Sequence, residues 1–314
     1  MANSGGAVYR SGWIAIVGRP NMGKSTFLNQ VLGQRAAIVT PKAQTTRTRI
    51  VGIRHQPDGQ MIFLDTPGIH PHHDHALNRI MVQSAYSACD DADVILYFVA
   101  AGSGVTVEDW EILARLSSRR AVLFLVINKV DSRPRPTLLP LVATCAAEAK
   151  RRGLAIAEFA MLSALTGENV APLLATVFAR LPKGPPYFPA EQWTDQPERF
   201  LAAEIVREKL FLHLQQELPY HVAVQVEGFA EGDGRLDITA RVLVDRTAHK
   251  GIVIGRKGEM LKRIGTAARL DLERFFSCHV FLGLQVVVRK GWRGDTRLLH
   301  ALGYAEGEDD RAVS

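Results

Sequence analysis

The chain has 314 residues, of which 47% are hydrophobic and 22% are charged, and its net charge is +6. This length allows two ordinary domains with substantial cores, and this composition excludes a disordered protein. The longest apolar runs, at 94–101 and 121–127, are too short to cross a membrane, and the N-terminus lacks the apolar region of a secretory signal. Three widely spaced cysteines predict reduced thiols in a cytoplasmic protein, and the positive charge favours an anionic partner.

A proline-rich stretch divides the chain. Residues 181–189 contain four prolines and a glycine, a density that neither a helix nor a sheet tolerates. Before it, apolar strands alternate with helical patterns, which predicts an α/β domain with a mainly parallel sheet covered on both faces. After it, a helical pattern begins at Pro197 and two alternating strands follow, joined by a turn at 230–234. We therefore predict domains at 1–181 and 197–304, a linker at 182–196, and an acidic tail, expected to be frayed, at 305–314.

The first glycine-rich loop follows an apolar strand and precedes a helical pattern. It matches G-x-x-x-x-G-K-[ST], a motif whose backbone N–H groups surround phosphate oxygens at a helix N-terminus. Its lysine supplies charge to the outer phosphates and its serine supplies a hydroxyl for Mg²⁺. The nucleotide-binding candidates here are Gly18, Arg19, Pro20, Asn21, Met22, Gly23, Lys24, Ser25 and Thr26.

Three further motifs follow in order, and together they favour a guanine nucleotide. Asp65, Thr66, Pro67 and Gly68 end an apolar strand, where the carboxylate can hold Mg²⁺ with its water and the glycine N–H can meet a γ-phosphate. Asn128, Lys129 and Asp131 end another strand, and the last carboxylate can accept two hydrogen bonds from guanine but none from adenine. Ser163, Ala164 and Leu165 come after a further apolar stretch, where a backbone N–H can meet guanine O6.

The order GRPNMGKS, QTTRT, DTPG, NKVD, SAL resembles the translation-factor-like bacterial GTPases, and AQTTRTRIVGI at 43–53 resembles the switch region of the Era type. The resemblance extends from residue 12 to about residue 304. It implies a P-loop GTPase domain followed by a type II KH domain that binds RNA. It also implies that Thr46, rather than the alternative Thr45, closes over the nucleotide and ligates Mg²⁺ in the GTP state.

A second glycine-rich loop carries the RNA-binding prediction. Gly255, Arg256, Lys257 and Gly258 match the KH loop that clamps the backbone of about four single-stranded nucleotides. The surrounding patterns predict the element order α-β-β-α-α-β, with a helix starting near Glu259. Residues 241–297 contain thirteen lysines and arginines against five acidic residues. The RNA-binding candidates are Lys250, Gly255, Arg256, Lys257, Gly258, Lys262 and Arg263.

Hydrolysis is expected to be slow. Lys24, Thr46 and Gly68 are the candidate catalytic residues, and Ser25, Thr46 and Asp65 the candidate Mg²⁺ ligands. Ras-like enzymes place a water-orienting glutamine just after the DxxG glycine, but Ile69 stands there in this chain. Neither Arg47 nor Arg49 can be assigned as an arginine finger. Asn21 resembles the asparagine that helps to hold K⁺ near the phosphates in related GTPases, which makes K⁺ a second cofactor hypothesis.

Three functions stay open at this point. The favoured one, implied by the resemblance, is a monomeric GTP/GDP switch that binds the 3′ region of 16S ribosomal RNA during assembly of the small ribosomal subunit. The second is a GTPase acting in tRNA modification, although no additional catalytic motif follows residue 182. The third is a membrane-associated signalling GTPase, and weak peripheral contact with the inner face of the cell membrane stays open beside a cytoplasmic location. The histidines at 70–75 are interpreted as a polar loop rather than a metal site.

Overall fold

The structure, a computed structural model, describes residues 9–42, 44–69, 75–232 and 234–304. The strands in chain order are β1 (Arg10–Gly18), β2 (Ile50–Gln56), β3 (Gly59–Asp65), β4 (Val94–Ala100), β5 (Val122–Asn128), β6 (Glu158–Met161), β7 (Val222–Gly232), β8 (Arg235–Val244) and β9 (His279–Val288). The helices are α1 (Lys24–Leu32), α2 (Ala76–Asp90), α3 (Val107–Ser117), α4 (Leu138–Arg151), α5 (Val170–Arg180), α6 (Glu198–His213), α7 (Thr247–Ile254), α8 (Glu259–Phe276) and α9 (Thr296–Ala301). The histidine-rich stretch at 70–74 and the tail at 305–314 lie outside the described residues.

The chain forms two compact units. Among the described residues, the first contains 9–37, 49–69 and 82–195, and the second contains 38–48, 75–81 and 196–304. Two short segments from the N-terminal part of the sequence therefore belong to the second unit. The domain limits 1–181 and 197–304 stay a prediction.

The first unit is built on a six-stranded sheet in the order β2-β3-β1-β4-β5-β6. Only the edge strand β2 runs antiparallel to its neighbour; the other pairs are parallel. Apolar side chains from alternate positions of β1 enter two different cores, with Ala15 and Val17 on one face and Ile14 and Ile16 on the other. This arrangement confirms the predicted α/β fold and explains why its strands are continuously apolar.

The proline-rich stretch packs along the β2 edge of the first unit. The side chain of Gln60 accepts hydrogen bonds from the backbone N–H groups of Tyr187 (2.9 Å) and Phe188 (3.1 Å). The N–H of Ile53 donates to the carbonyl of Trp193 at 2.8 Å. The contact with Ile53 occupies a backbone group of the edge strand β2 that would otherwise face solvent.

The second unit contains a three-stranded sheet in the order β7-β8-β9, with β7 and β8 antiparallel and β8 and β9 parallel. The element order α6-β7-β8-α7-α8-β9 confirms the predicted α-β-β-α-α-β arrangement. Its core includes Val206 and Phe211 of α6 and Ile264 and Leu272 of α8, all of them buried. In the part of the chain that the structure describes, no helix is both long and apolar enough to cross a membrane.

Candidate nucleotide site and RNA-binding loop

The loop between β1 and α1 has backbone angles that a phosphate cradle requires. Gly18 and Gly23 have φ values of 145° and 90°. A Cβ atom at Gly23 would lie 2.2 Å from Nδ2 of Asn128, and one at Gly18 would lie 2.4 Å from the carbonyl of Phe98. Both glycines are therefore required by conformation and by space. Asn21 also has a positive φ, of 62°, a region in which asparagine is enriched.

Lys24 is the first residue of α1, and its ammonium group is buried beside the loop. Its Nζ atom donates to the carbonyls of Gly18 (3.2 Å) and Arg19 (3.0 Å). Burial lowers its pKa to about 8, and the nearby carboxylate of Asp65 opposes this shift. A buried cation of this kind is stabilised by an anion placed against it, which is what a nucleotide phosphate would supply.

Asp65 and Ser25 meet at the carboxyl end of β3. The hydroxyl of Ser25 donates to Oδ2 of Asp65 at 2.6 Å, whereas Oδ1 is buried without a hydrogen-bond partner among the described residues. Burial raises the pKa of Asp65 to about 6, against the lowering effects of Lys24 and Ser25. A buried carboxylate oxygen next to a hydroxyl is a donor set that suits Mg²⁺, which prefers hard oxygen ligands. Ser25 and Asp65 therefore have the chemistry of a Mg²⁺ site.

The segment after Asp65 runs close to the phosphate loop. A Cβ atom at Gly68 would lie 2.6 Å from the backbone nitrogen of Pro20, so only glycine permits this approach. The N–H of Ile69 donates to the carbonyl of Gly18 at 3.1 Å, and its side chain is buried. A buried aliphatic side chain cannot orient an attacking water. Thr66 lies in the same segment and donates its hydroxyl to the carbonyl of Ile16 at 2.9 Å.

Asn128 joins three of the predicted motifs. Its Nδ2 atom donates to the carbonyl of Met22 in the phosphate loop at 2.8 Å, and its Oδ1 atom accepts from the N–H of Ala164 at 2.9 Å. Lys129, with φ of 62°, donates from Nζ to the carbonyl of Asn21 at 2.6 Å. The amide of Asn128 thus fixes the position of both loops around one point.

The remaining guanine-site candidates lie in the turn after β5 and in the loop at Ala164. Asp131 lies in a short 3-10 turn, Val130–Ser132, and is exposed. Ser163 and Ala164 are buried, whereas the side chain of Leu165 is exposed. Because Asp131 is exposed, its carboxylate is available to a base.

Asp109, a residue outside the nucleotide-binding motifs, binds a side chain of the phosphate loop. Oδ1 of Asp109, which is fully buried at the start of α3, accepts from Nε of Arg19 (2.9 Å) and from the hydroxyl of Tyr97 (2.8 Å). Its Oδ2 accepts from the N–H of Thr106 at 2.8 Å, as part of a capping box. The sequence T-V-E-D at 106–109 has the capping-box spacing, so the helix start was detectable, but not its bond to Arg19.

Thr46, the predicted third Mg²⁺ ligand, belongs to the second unit and is buried there. The side chains of Ser25 and Asp65 are joined directly by a hydrogen bond, and both lie in the first unit. Coordination of Mg²⁺ by Thr46 stays a prediction for the GTP state.

The second glycine-rich loop connects α7 to α8 in the second unit. Gly255 has φ of 74°, and a Cβ atom there would lie 2.6 Å from Cβ of Met260. Gly258, with φ of 81°, ends the loop directly before α8. Arg256 and Lys257 between them are exposed, and Lys257 itself has φ of 49°. The loop therefore turns sharply and presents two cations to solvent at the N-terminus of an 18-residue helix.

A groove of about 400 Å³ opens beside this loop, between α8 and β9. It is lined by Gly258, Leu261, Lys262, Gly265, Thr266, Arg269, Leu282 and Leu284. Arg263 is exposed on α8, and Lys250 is half-buried on α7. An apolar floor edged by cations suits single-stranded nucleic acid, whose bases bury their faces while their phosphates meet positive charge. Apart from Lys262 and Gly258, the lining residues were not predicted, because α8 and β9 come together only in the fold.

Comparison with known proteins finds matches to both parts of the chain. A protein-family model described as a 50S ribosome-binding GTPase matches residues 13–129, and a KH-domain model matches residues 217–293. GTPase Era of Syntrophus aciditrophicus is 47% identical over 308 residues, which covers 97% of this chain and 99% of that protein. The chain belongs to the GTPase Era family. GTPase Era of Azotobacter vinelandii is 45% identical over 298 residues, covering 95% and 97% of the two chains.

Two solved Era structures resemble the fold closely. A variant of Aquifex aeolicus Era bound to GDP and AlF₄⁻ has a TM-score of 0.90, with 39% identity over 95% of this chain and all of that one. Era in complex with MgGDPNP and nucleotides 1506–1542 of 16S ribosomal RNA has a TM-score of 0.91, with the same identity and coverage. The predicted Era-type resemblance, with its GTPase and KH domains, is thereby confirmed.

Proposed function

We propose that the chain is a GTP-driven switch that binds GTP and GDP with Mg²⁺, binds the 3′ region of 16S ribosomal RNA, and assists assembly of the small ribosomal subunit in the cytoplasm. The observation that supports this proposal most directly is that a nucleotide site and a KH loop with its groove occur together in one Era-family chain. The Era structure that holds both MgGDPNP and a 16S fragment supports this reading.

In the nucleotide site each residue has a defined task. The backbone N–H groups of the phosphate loop and the ammonium of Lys24 would hold the phosphates, and the N–H of Gly68 would meet the γ-phosphate. Ser25 and Asp65, with Thr46 in the GTP state, would hold Mg²⁺, which when bound neutralises charge that develops on the phosphate oxygens. Ile69 cannot orient the attacking water, so we expect slow intrinsic hydrolysis.

In the second unit, the loop and the groove would bind RNA together. Arg256 and Lys257 would neutralise phosphates at the sharp turn, while Leu261 and Leu284 offer an apolar surface to bases. Lys262 and Arg269 edge the same groove and add positive charge. This division between backbone contacts and base contacts is what single-strand recognition requires.

Two observations bear on the choice of ribosomal subunit. The family model for the GTPase part carries a 50S description, whereas the related structure that matches both units holds 16S RNA. We follow the second because it covers 95% of the chain, including the KH unit that would contact the RNA. A role in tRNA modification would need a further catalytic motif, which the sequence after residue 182 does not contain. The groove has an apolar floor edged by cations, and this chemistry does not favour a lipid surface over RNA as the ligand.

Crosslinking in cells followed by RNA sequencing tests the proposal. The reads are expected to concentrate at the 3′ end of 16S ribosomal RNA and to disappear in a variant that carries Arg256→Asp and Lys257→Asp. Reads dominated by tRNA would favour the modification role. A chain that crosslinks to no RNA and sediments with membranes would contradict the proposal.

A monovalent-ion test addresses the missing arginine finger. Asn21 lies in the phosphate loop with a positive φ, and its carbonyl accepts from Lys129. We expect GTP hydrolysis to be roughly tenfold faster in KCl than in NaCl, because a K⁺ near the phosphates would lower the barrier by about 1.4 kcal/mol. Asn21→Ala should remove the difference while GDP affinity stays unchanged. Equal rates of the unmutated chain in the two salts would eliminate K⁺ as a cofactor.

A further inference from the structure

Arg47, the residue next to Thr46, is buried inside the second unit, where 2% of it is exposed. Its Nη1 atom donates to the carbonyl of Val222 at 2.7 Å. Its Nη2 atom donates to the carbonyls of Pro219 (3.3 Å) and Tyr220 (3.2 Å). A single guanidinium group thus satisfies three backbone acceptors, two in the turn before β7 and one at the first residue of β7, a task that its fixed fork of donors can perform.

Aromatic rings enclose the same guanidinium group. Its Cζ atom lies 5.6 Å from the ring centroids of Phe211 and Trp292 and 5.7 Å from that of Tyr304. Cations within about 6 Å of a ring centroid are attracted by the ring, most strongly where water is excluded. Phe211 belongs to α6, whereas Trp292 and Tyr304 lie in the C-terminal part of the unit. Arg47 therefore joins three separate parts of the second unit.

The residues before Arg47 are held in the same way. The fully buried Arg207 of α6 donates to the carbonyl of Thr45 and forms an ion pair with Glu204. Lys42 donates to the carbonyls of Phe211 and Leu214 at the end of α6, and the N–H of Val39 donates to Glu208 at 3.2 Å. The segment from residue 38 to residue 48 is consequently attached to α6 at several points along its length.

This attachment limits where Thr46 can move. Consecutive Cα atoms are about 3.8 Å apart, so for as long as the guanidinium group is held, Thr46 can move no farther from the turn before β7 than the length of the Arg47 side chain and one residue allows. Any displacement of Thr46 beyond that reach must either move α6 and the turn before β7 or withdraw a charged group from its carbonyl partners. α6 packs against α8 and β7, and α8 begins at the RNA-binding loop.

We propose that Arg47 is the positioning residue that couples the nucleotide state to the RNA-binding unit, by binding the Thr46 segment to α6 and to the turn before β7. The inference rests on the proposed function, because it requires Thr46 to respond to GTP. The inference names the residue, Arg47, through which the response of Thr46 to GTP would reach the RNA-binding unit. A purely structural Arg47 would affect the stability of the second unit without affecting how RNA affinity depends on the nucleotide.

The test measures the affinity of the full-length protein for a 3′-terminal 16S fragment with GDPNP and with GDP. We expect tighter binding with GDPNP by about 5- to 150-fold, the usual range of coupling between two sites. In Arg47→Met this ratio should fall to near one, while GDPNP affinity and the RNA affinity of the GDP state stay close to those of the unmutated chain. Arg47→Lys, which keeps the charge but loses the fork of donors, should give an intermediate ratio.

Arg49→Met is the matched control. This substitution also replaces an arginine by methionine, two residues further along the chain. Arg49, however, belongs to the first unit and forms an ion pair with Asp91 at 3.7 Å. The ratio of RNA affinities with GDPNP and with GDP should be the same in Arg49→Met as in the unmutated chain. A full ratio in folded Arg47→Lys and Arg47→Met would overturn the inference and leave the proposed function standing. A ratio of one in the unmutated chain that still binds the fragment would overturn the inference together with the switch part of the proposed function, and would leave GTP binding and RNA binding standing. Absence of RNA binding in both nucleotide states would instead refute the proposed function itself.

Discussion

Asp131→Asn is expected to shift the nucleotide preference of the chain from guanine to xanthine. The carboxylate can accept two hydrogen bonds from guanine, whereas an amide presents a donor in place of one acceptor. Losing one hydrogen bond to a charged group, and the charge that strengthens the other, at up to about 2 kcal/mol each, corresponds to a loss of up to roughly 10³-fold in GTP affinity. Xanthine carries a carbonyl where guanine carries its amine, so the same amide should strengthen XTP binding.

Nucleotide affinities measured by fluorescence titration would check this result. Asp131 is exposed in a short turn, and the substitution is nearly isosteric, so thermal unfolding should be unchanged. Asp91→Asn, which neutralises another exposed carboxylate of the first unit, serves as the control and should keep the preference for GTP. If Asp131→Asn retains its GTP affinity and gains none for XTP, the assignment of the guanine site is wrong.

The nucleotide motifs could be predicted from sequence because each is local and each ends a strand of the same sheet. Parallel strands bring their carboxyl ends to one edge, so Asp65 and Asn128 had to approach the loop at Gly18 once the strands were assigned. The bond from Asn128 to the carbonyl of Met22 is a direct result of that topology. The buried, partnerless oxygen of Asp65 is a feature that only coordinates could add.

Contacts between residues distant in sequence were not predictable in this way. Asp109 holds Arg19 across ninety positions, and nothing in its capping-box motif indicates that partner. Arg47 was considered for catalysis and could not be assigned, because a sequence does not distinguish an exposed arginine from one enclosed by carbonyls and rings. In the structure that distinction follows from the three carbonyls that Arg47 reaches in the second unit.

Reversing the charge of the KH loop is expected to have the largest effect on RNA binding. Arg256→Asp combined with Lys257→Asp should abolish binding to the 3′-terminal 16S fragment and leave GTP affinity near that of the unmutated chain. The loss should exceed that of two missing contacts, because the new carboxylates repel the phosphates they would face. The chain conformation should survive, since both residues are exposed and aspartate tolerates the positive φ of Lys257.

The salt dependence of RNA affinity separates this effect from a loss of folding. Each neutralised phosphate contributes about 0.7 to the slope of log affinity against log salt for a single strand. Replacing Arg256 and Lys257 by alanine should therefore reduce the slope by about 1.4 and retain weak binding. Arg180→Asp with Lys183→Asp, two exposed cations of the first unit, supplies a control of equal charge change and should leave RNA affinity near its original value. If both charge reversals weaken binding equally, general electrostatic attraction, rather than the loop between α7 and α8, accounts for RNA recognition.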